Sequence, residues 1–203
     1  MANFFKHLKL ITKHRHQVIR NAFHLGIFFH SLKHDLSKYS CAEFIPSYKS
    51  YKGNESPVFS NRKLNSGYSD IAVHHTRRNP HHYEYWVDFF KGNALVKPMP
   101  YKYALEYVAD MLAASKTYDK KNFSGKVVLE YFRARIPYFI MHSATIEFIE
   151  SCFIRFEESK WKNLKKKDTK KLYNELLKKH QPVEIFKMSK IEGDSKEFLY
   201  GNK

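Results

Sequence analysis

The stretch HHTRRNPHHYEYW, residues 74–86, concentrates the side chains of this chain that are best suited to chemistry. Four of the twelve histidines fall within nine residues, in two adjacent pairs that flank two arginines: His74, His75, Arg77, Arg78, His81 and His82. Neutral imidazoles are ligands for divalent transition metals, whereas guanidinium groups bind phosphate, often bidentately. The stretch therefore predicts a metal site, a contact with a phosphorylated partner, or both.

A second signal is the string KHDLSKYS, in which His34 and Asp35 are adjacent and Lys38 follows. It ends an apolar segment, where an acid and an imidazole without partners would otherwise prefer solvent. The alternative is an ordinary helix end, with the histidine favourable to the helix dipole and the aspartate beginning a turn.

A further histidine becomes a candidate if the chain reverses at Gly26, where a helix-terminating glycine belongs. The helix then runs about 18 Å from His14 to the turn and returns about 12 Å to His34, so the two approach within about a turn of helix. His7 and His16 compete with His14 for this position.

Two acids are candidates for contact with the histidines. Asp110, in an apolar and aromatic helix, is a candidate buried carboxylate that requires a cation, although a lysine or arginine of a neighbouring helix would also serve. Asp70 lies one helical turn before His74 and could accept its free imidazole N–H. Adjacent helical residues point about 100° apart, so the sequence does not choose between His74 and His75.

The elements that must position these residues are predicted to be helical. Only seven glycines and seven prolines leave little room for the tight turns of an all-β protein. Apolar periodicity and capping signals, including a capping box at Ser40 and Glu43, predict an all-α bundle. The predicted helices cover residues 3–25, 27–36, 40–51, 67–77, 81 onward, 99–118, 124–136 and 143–160, with a loop over 53–66.

The chain is predicted to form one helical domain, residues 1–160, followed by a lysine-rich C-terminal helix and a frayed tail, residues 161–203. Eleven lysines against three acids between Lys160 and Lys190 supply half of the net charge of +16. Such a field attracts phosphates, nucleic acid or acidic membrane surfaces, so weak nucleic-acid binding through this segment is expected. A solvated helix face is the alternative.

The cysteines and the first twenty residues indicate in which cellular compartment the protein is expected. Cys41 and Cys152 match neither a zinc spacing nor a disulfide framework, which favours a reducing environment. Charges interrupt every apolar run of the first twenty residues, so neither a signal peptide nor a membrane span is expected. We expect a cytoplasmic protein, in its own cell or, if viral, in the host.

The order His14, His34-Asp35 and Asp110 in a helical bundle resembles the HD-domain superfamily of metal-dependent phosphohydrolases, named for an H...HD...D ligand set. HDLSK is similar to the HDxGK of its cyclic-dinucleotide branch, in which further histidines between the HD pair and the last aspartate bind a second metal. Here Ser37 replaces the glycine before Lys38, and no GYP motif follows the histidines. The strings HDLSK, GYS, HH, RNPHHYEYW and DMLAA resemble more closely a family of uncharacterised bacterial and phage proteins.

The first resemblance implies a phosphohydrolase that acts on a nucleotide or another phosphoester with a divalent ion, Mn, Fe, Zn, Ni or Mg. Asp35 and Lys38 would be catalytic, and Lys38, Arg77 and Arg78 would bind the phosphorylated small-molecule substrate. The implied metal ligands are His14, His34, Asp35, His74, His75, His81, His82 and Asp110. Two other functions stay open: a basic helical nucleic-acid-binding protein, and a catalytically inactive HD-like scaffold.

Overall fold

The computed structural model describes residues 2–53 and 55–188, and its predominantly helical architecture confirms the predicted all-α class. The predicted tail, residues 189–203, lies outside the described residues. The helices are α1 (Ala2–His24), α2 (Phe28–Ser31), α3 (Cys41–Ser50), α4 (Pro57–Leu64), α5 (Asp70–Arg78), α6 (Tyr101–Tyr118), α7 (Gly125–Arg135), α8 (Ser143–Ser159) and α9 (Lys166–Lys179). The strands are β1 (Val87–Phe90), β2 (Asn93–Val96) and β3 (Glu184–Lys187).

The two longest helices, α1 and α6, pack against each other at the centre of the bundle. Val18 and Ala22 of α1 and Ala104 and Val108 of α6 are fully buried. The small alanine side chains allow a close approach, and the side-chain amide of Asn21 donates to the carbonyl of Ala109 across the interface at 2.9 Å. Both helices also carry polar side chains of the candidate site, so their packing sets its geometry.

The chain reverses at Gly26, as the sequence predicts. Gly26 has a φ of +70°, and the N–H groups of Gly26 and Ile27 donate to the carbonyls of Phe23 and Ala22 at 3.1 and 3.0 Å. This pattern closes the last turn of α1 and favours glycine, which alone enters the left-handed region without a steric penalty. Helix α2, predicted to reach residue 36, ends at Ser31. An irregular turn and a 3₁₀ turn, Leu36–Tyr39, follow it.

Serine caps begin two of the predicted helices, α7 beside its predicted start at residue 124 and α5 three residues after its predicted start at residue 67, and one predicted loop is wrong. Ser69 and Ser124 accept hydrogen bonds from the N–H groups of Ala72 and Val127, which begin α5 and α7. The expected loop over residues 53–66 instead contains α4. Pro57 occupies its first turn, where a missing N–H costs nothing.

The helix predicted from His81 onward is also wrong, because these residues lead through a 3₁₀ turn, Tyr83–Trp86, into an antiparallel hairpin of β1 and β2. Lys91 and Gly92 form its two-residue turn with φ values of 46° and 72°, the combination of a type I′ turn. Strand β3 completes the sheet by pairing with β2, Ala94 opposite Phe186.

The lysine-rich helix α9 packs on the bundle. Tyr173 and Leu176 are buried within the main core, and the Tyr173 hydroxyl donates to the carbonyl of Met99 at 2.6 Å. The hydrophobic core therefore runs across the predicted boundary after residue 160. Among the described residues, no helix has the length and apolar character that crossing a membrane requires.

Candidate metal centre

The polar centre of the molecule is built by five segments that bring distant residues together. Helix α1 supplies His14, the turn after α2 supplies His34 and Asp35, and α5 supplies His75. The segment before β1 supplies His81 and His82, and α6 supplies Glu106 and Asp110. Asp35 has a φ of +53°, an uncommon conformation for a residue with a side chain, and such strain is frequent at functional sites.

One group of ligand atoms comprises His14, His34 and Asp110. The Nε2 atoms of His14 and His34 lie 2.9 and 3.8 Å from Oδ1 of Asp110. Oδ2 of Asp35 lies 3.2 Å from His34 Nε2 and also accepts from the ammonium group of Lys38. The reversal at Gly26 thus brings His14 and His34 together, with ring centroids 5.9 Å apart.

A second group comprises Asp35, His75, His81 and His82. The Nε2 atoms of His75 and His81 lie 3.2 and 3.4 Å from Oδ1 of Asp35. Nε2 of His81 also lies 3.9 Å from Oδ2 of Asp110. Each aspartate therefore directs its two oxygens to different histidines, so that the two groups adjoin and share their carboxylates.

Several of the converging atoms are buried without a hydrogen bond: His34 Nε2, Asp35 Oδ1, His81 Nε2 and His82 Nε2. Leaving a buried polar atom unpaired costs about 1–3 kcal/mol, so such atoms are rare and require an explanation. Imidazole nitrogens and carboxylate oxygens form a donor set suited to divalent transition metals. These buried clusters could therefore bind a metal ion.

Two glutamates orient the histidines. Glu106 accepts from Nδ1 of His34 at 2.9 Å, and its other oxygen lies 3.0 Å from Nε2 of His30. Glu43 accepts from Nδ1 of His75 at 2.8 Å. A carboxylate that binds one ring nitrogen fixes the tautomer and leaves the other nitrogen with a free lone pair, as metal-bound histidines require. Glu43 is thus an outer partner of the second group, and Glu106 orients His34 while also forming a further possible ligand group with His34 and His81.

Glu43 also decides between the adjacent histidines His74 and His75. Nδ1 of His74 binds Glu43 at 2.7 Å, and its Nε2 accepts from Arg78 at 2.7 Å. Both ring nitrogens of His74 are occupied, so it lies outside both ligand groups, whereas Nε2 of His75 faces Asp35. Asp70, the expected partner of His74, is exposed, and Glu43 takes that role.

The charges of the cluster favour a cation. Burial opposes protonation of His34, but Asp35, Glu106 and Asp110 outweigh it and raise the pKa of His34 to about 10. Burial opposes ionisation of Asp35 and Asp110, yet the neighbouring histidines hold the pKa of each carboxyl well below its usual range. Without a bound ion, a proton on His34 therefore partly balances the buried carboxylates.

Two histidines of the second group are neutral, whereas Asp35 and Glu43 outweigh burial and raise the pKa of the third, His75. Burial and the charge of His34 lower the pKa of His81. Burial, His81 and His75 lower the pKa of His82 well below its usual value. A neutral imidazole can bind a metal without first losing a proton, so these two rings are in the protonation state that ligation needs.

Two cavities flank the centre. The front cavity has a volume of about 170 Å³, and its polar lining includes His7, His14, Lys38, Glu43, His75 and Asp110. The rear cavity has a volume of about 480 Å³, and its lining includes Phe29, Lys33, His34, Arg78, His81, Lys102, Tyr103 and Glu106. Ligand atoms of the centre thus line cavities on both sides.

The structure separates the three predicted phosphate-binding residues. Lys38 lines the front cavity, where its ammonium group contacts Asp35. Arg78 lines the rear cavity, and Arg77 is exposed and lines neither. Only Lys38 is therefore placed beside the group containing His14 and Asp110.

Sequence reasoning missed both glutamates and one histidine. Glu43 was assigned to a capping box with Ser40, but no side-chain capping bond forms at Ser40, and Glu43 is buried beneath α5 instead. Glu106 precedes Asp110 by one helical turn, a spacing that could have identified it. The sequence does not single out His30, yet its Nε2 lies 3.0 Å from Glu106. His24 stacks on Trp161, and His142 caps α8.

The fold and this cluster define a helical protein with a buried histidine and carboxylate centre. A family model described as a family of unknown function, DUF5662, matches residues 3–179, and the chain belongs to that family. Comparisons with curated proteins and with solved structures found no match.

Proposed function

We propose that the protein is a metal-dependent phosphohydrolase that acts on a nucleotide or another phosphoester. The observation that carries the proposal is the convergence of four buried ligand atoms without a hydrogen bond on two adjoining groups, in which Asp35 and Asp110 each lie close to histidines of both groups. The order of these residues also agrees with the resemblance to the HD-domain superfamily. Divalent ions bound there would lower the pKa of bound water toward 7 and offset phosphoryl charge.

The residues of the chain have distinct roles in this proposal. His14, His34 and Asp110 would hold one ion, and His75, His81 and His82 a second, with Asp35 between them. Glu106 and Glu43 would keep His34 and His75 in the tautomer that ligates. His74 is not a ligand in this scheme.

The front cavity would admit the phosphoryl group. Its volume of about 170 Å³ is below the roughly 300–1,000 Å³ of pockets that enclose whole drug-sized ligands. Lys38 lines this cavity, and although burial opposes it, the charges of Asp35 and Asp110 raise the pKa of its ammonium group, so it stays charged. Lys38 would bind a phosphoryl oxygen while the rest of the substrate lies outside the cavity.

The test is metal analysis of the purified protein together with hydrolysis of p-nitrophenyl phosphate and bis(p-nitrophenyl) phosphate with added Mn²⁺. We expect bound divalent metal, hydrolysis that a chelator abolishes, and loss of both in a His34→Ala, Asp35→Ala double variant. His16→Ala is the control, because His16 lies on α1 near His14 but is exposed. No metal binding at micromolar concentration would overturn the proposal. Metal binding without hydrolysis of any phosphoester would leave an inactive scaffold.

Weak nucleic-acid binding through the lysine-rich segment is a second candidate. Its support is the exposed face of α9, which carries Lys167, Lys171 and Lys178 while Tyr173 and Leu176 face the core. Binding should weaken steeply with salt and survive a chelator. Charge reversal at Lys167 and Lys171 tests it without removing core residues, and unchanged affinity for single-stranded DNA would exclude this face.

A further inference from the structure

The rear cavity differs from the front cavity in its charge. Lys33, Arg78 and Lys102 line it, and none of them belongs to the ion pairs between lysine or arginine and a carboxylate among the described residues. The carboxylate in its lining, Glu106, is already engaged by His34 and His30. The rear cavity therefore carries net positive charge, which favours an anion.

Its size and its aromatic residues restrict the anion further. A volume of about 480 Å³ falls within the range of sites for small organic ligands and exceeds what a single phosphate needs. Phe29 is 84% exposed at this cavity, and Tyr103 lies with its ring 4.7 Å from that of His30. Exposed aromatic faces stack on nucleobases, while lysine and arginine bind phosphates.

We propose that the rear cavity, which adjoins the metal centre at His34 and His81, is a nucleotide site with Lys33, Lys102 and Arg78 on the diphosphate and Phe29 or Tyr103 on the base. Binding of a nucleotide there does not depend on the proposed hydrolysis, because lysine and arginine side chains, and not a metal ion, supply the positive charge. Glu106 connects the two sites, since it lines the rear cavity and accepts from Nδ1 of the ligand His34 at 2.9 Å. A nucleotide bound there would change metal affinity, and by linkage metal would change nucleotide affinity by the same factor.

The test is calorimetric titration of the full chain with ADP in excess EDTA, which removes any metal-dependent phosphate binding at the front cavity. We expect saturable binding of one ADP, weaker binding of pyrophosphate, which lacks the base, and of adenosine, which lacks the phosphates. Lys33→Ala with Lys102→Ala should weaken ADP binding at least about tenfold.

The matched control is Lys120→Ala with Lys121→Ala, which removes the same charge from an exposed turn after α6. It should leave ADP affinity within about twofold. An equal loss of ADP affinity in both double variants would indicate non-specific attraction to a basic protein and would overturn the proposal. The absence of ADP binding to the unmodified protein would also overturn it. Because the assay contains no metal, absence of phosphohydrolase activity would not affect the outcome.

Discussion

The two cavities that flank the centre are lined by different ligand residues, His14, His75 and Asp110 at the front and His34 and His81 at the rear, and they differ in charge. The front cavity presents Asp110 and Glu43, with the charge of Lys38 already directed to Asp35. The rear cavity presents Lys33, Arg78 and Lys102, with Glu106 engaged by histidines. The front cavity is suited to a metal cation, whereas the rear cavity is suited to an anion that binds without a metal. His34 and Glu106 line the rear cavity, and His34 lies 3.8 Å from Asp110 of the front cavity, so the two cavities would influence each other through His34.

The largest loss of metal and activity is expected at Asp35, whose oxygens lie close to histidines of both ligand groups. Asp35→Asn keeps the volume but removes the charge beside His34, His75 and His81. Metal content should fall, and hydrolysis should drop by more than the roughly 10–100-fold that loss of an outer partner costs. Metal analysis and the p-nitrophenyl phosphate assay measure both. Asp70→Asn, an exposed acid of α5, should change neither, and an Asp35→Asn variant with full metal content would contradict the shared role.

The next largest effect on metal affinity is expected at Glu106 and Glu43, which bind His34 and His75. Glu106→Gln should lower metal affinity about 10–100-fold, because His34 loses the acceptor that fixes its tautomer. Glu43→Gln should act similarly on the group with His75. Competition with a fluorescent metal indicator measures the affinities. The exposed Glu130→Gln is the control, and equal affinities in all three variants would show that the glutamates do not support the ligands.

Metal binding should depend on pH through His34. Its pKa of about 10 exceeds the usual 6.5, so protonated His34 stabilises the metal-free protein fully below pH 6.5, and this contribution is lost as the pH rises toward 10. The melting temperature of the metal-free protein should fall over that interval, and metal affinity should rise as fewer protons must be released. Melting curves and calorimetry in two buffers measure this. Metal binding without proton release at pH 7 would contradict it.

The smallest expected effects are changes in the KM for phosphoester, which show which of the two cavities binds the substrate phosphate. Lys38→Ala should raise the KM for phosphoester about tenfold, whereas Arg77→Ala should change it less than about twofold, because Arg77 lines neither cavity. The double variant at Lys33 and Lys102 should leave this KM unchanged. Steady-state kinetics measure the KM of all three variants. A higher KM in the double variant at Lys33 and Lys102 would show that the phosphoester binds in the rear cavity, which contradicts its placement in the front cavity.

Local sequence patterns predicted most helices and much of the centre. Gly26 signalled the reversal that joins His14 to His34, because the left-handed conformation at a helix end selects glycine. The short sheet was not predicted, since Lys-Gly is a weak turn signal and β3 pairs with β2 from about ninety residues away. Glu43 was missed because a local capping pattern competed with a tertiary contact to α5, which no spacing near residue 43 reveals.

Anomalous X-ray scattering from crystals grown with Mn²⁺ would locate the ions bound in the cluster. We expect two manganese peaks in each chain. One should lie among His14, His34 and Asp110, and the other among His75, His81 and His82, with Asp35 between them. A single peak would contradict the sharing of Asp35 between two ions, and no peak within the cluster would contradict the metal centre itself.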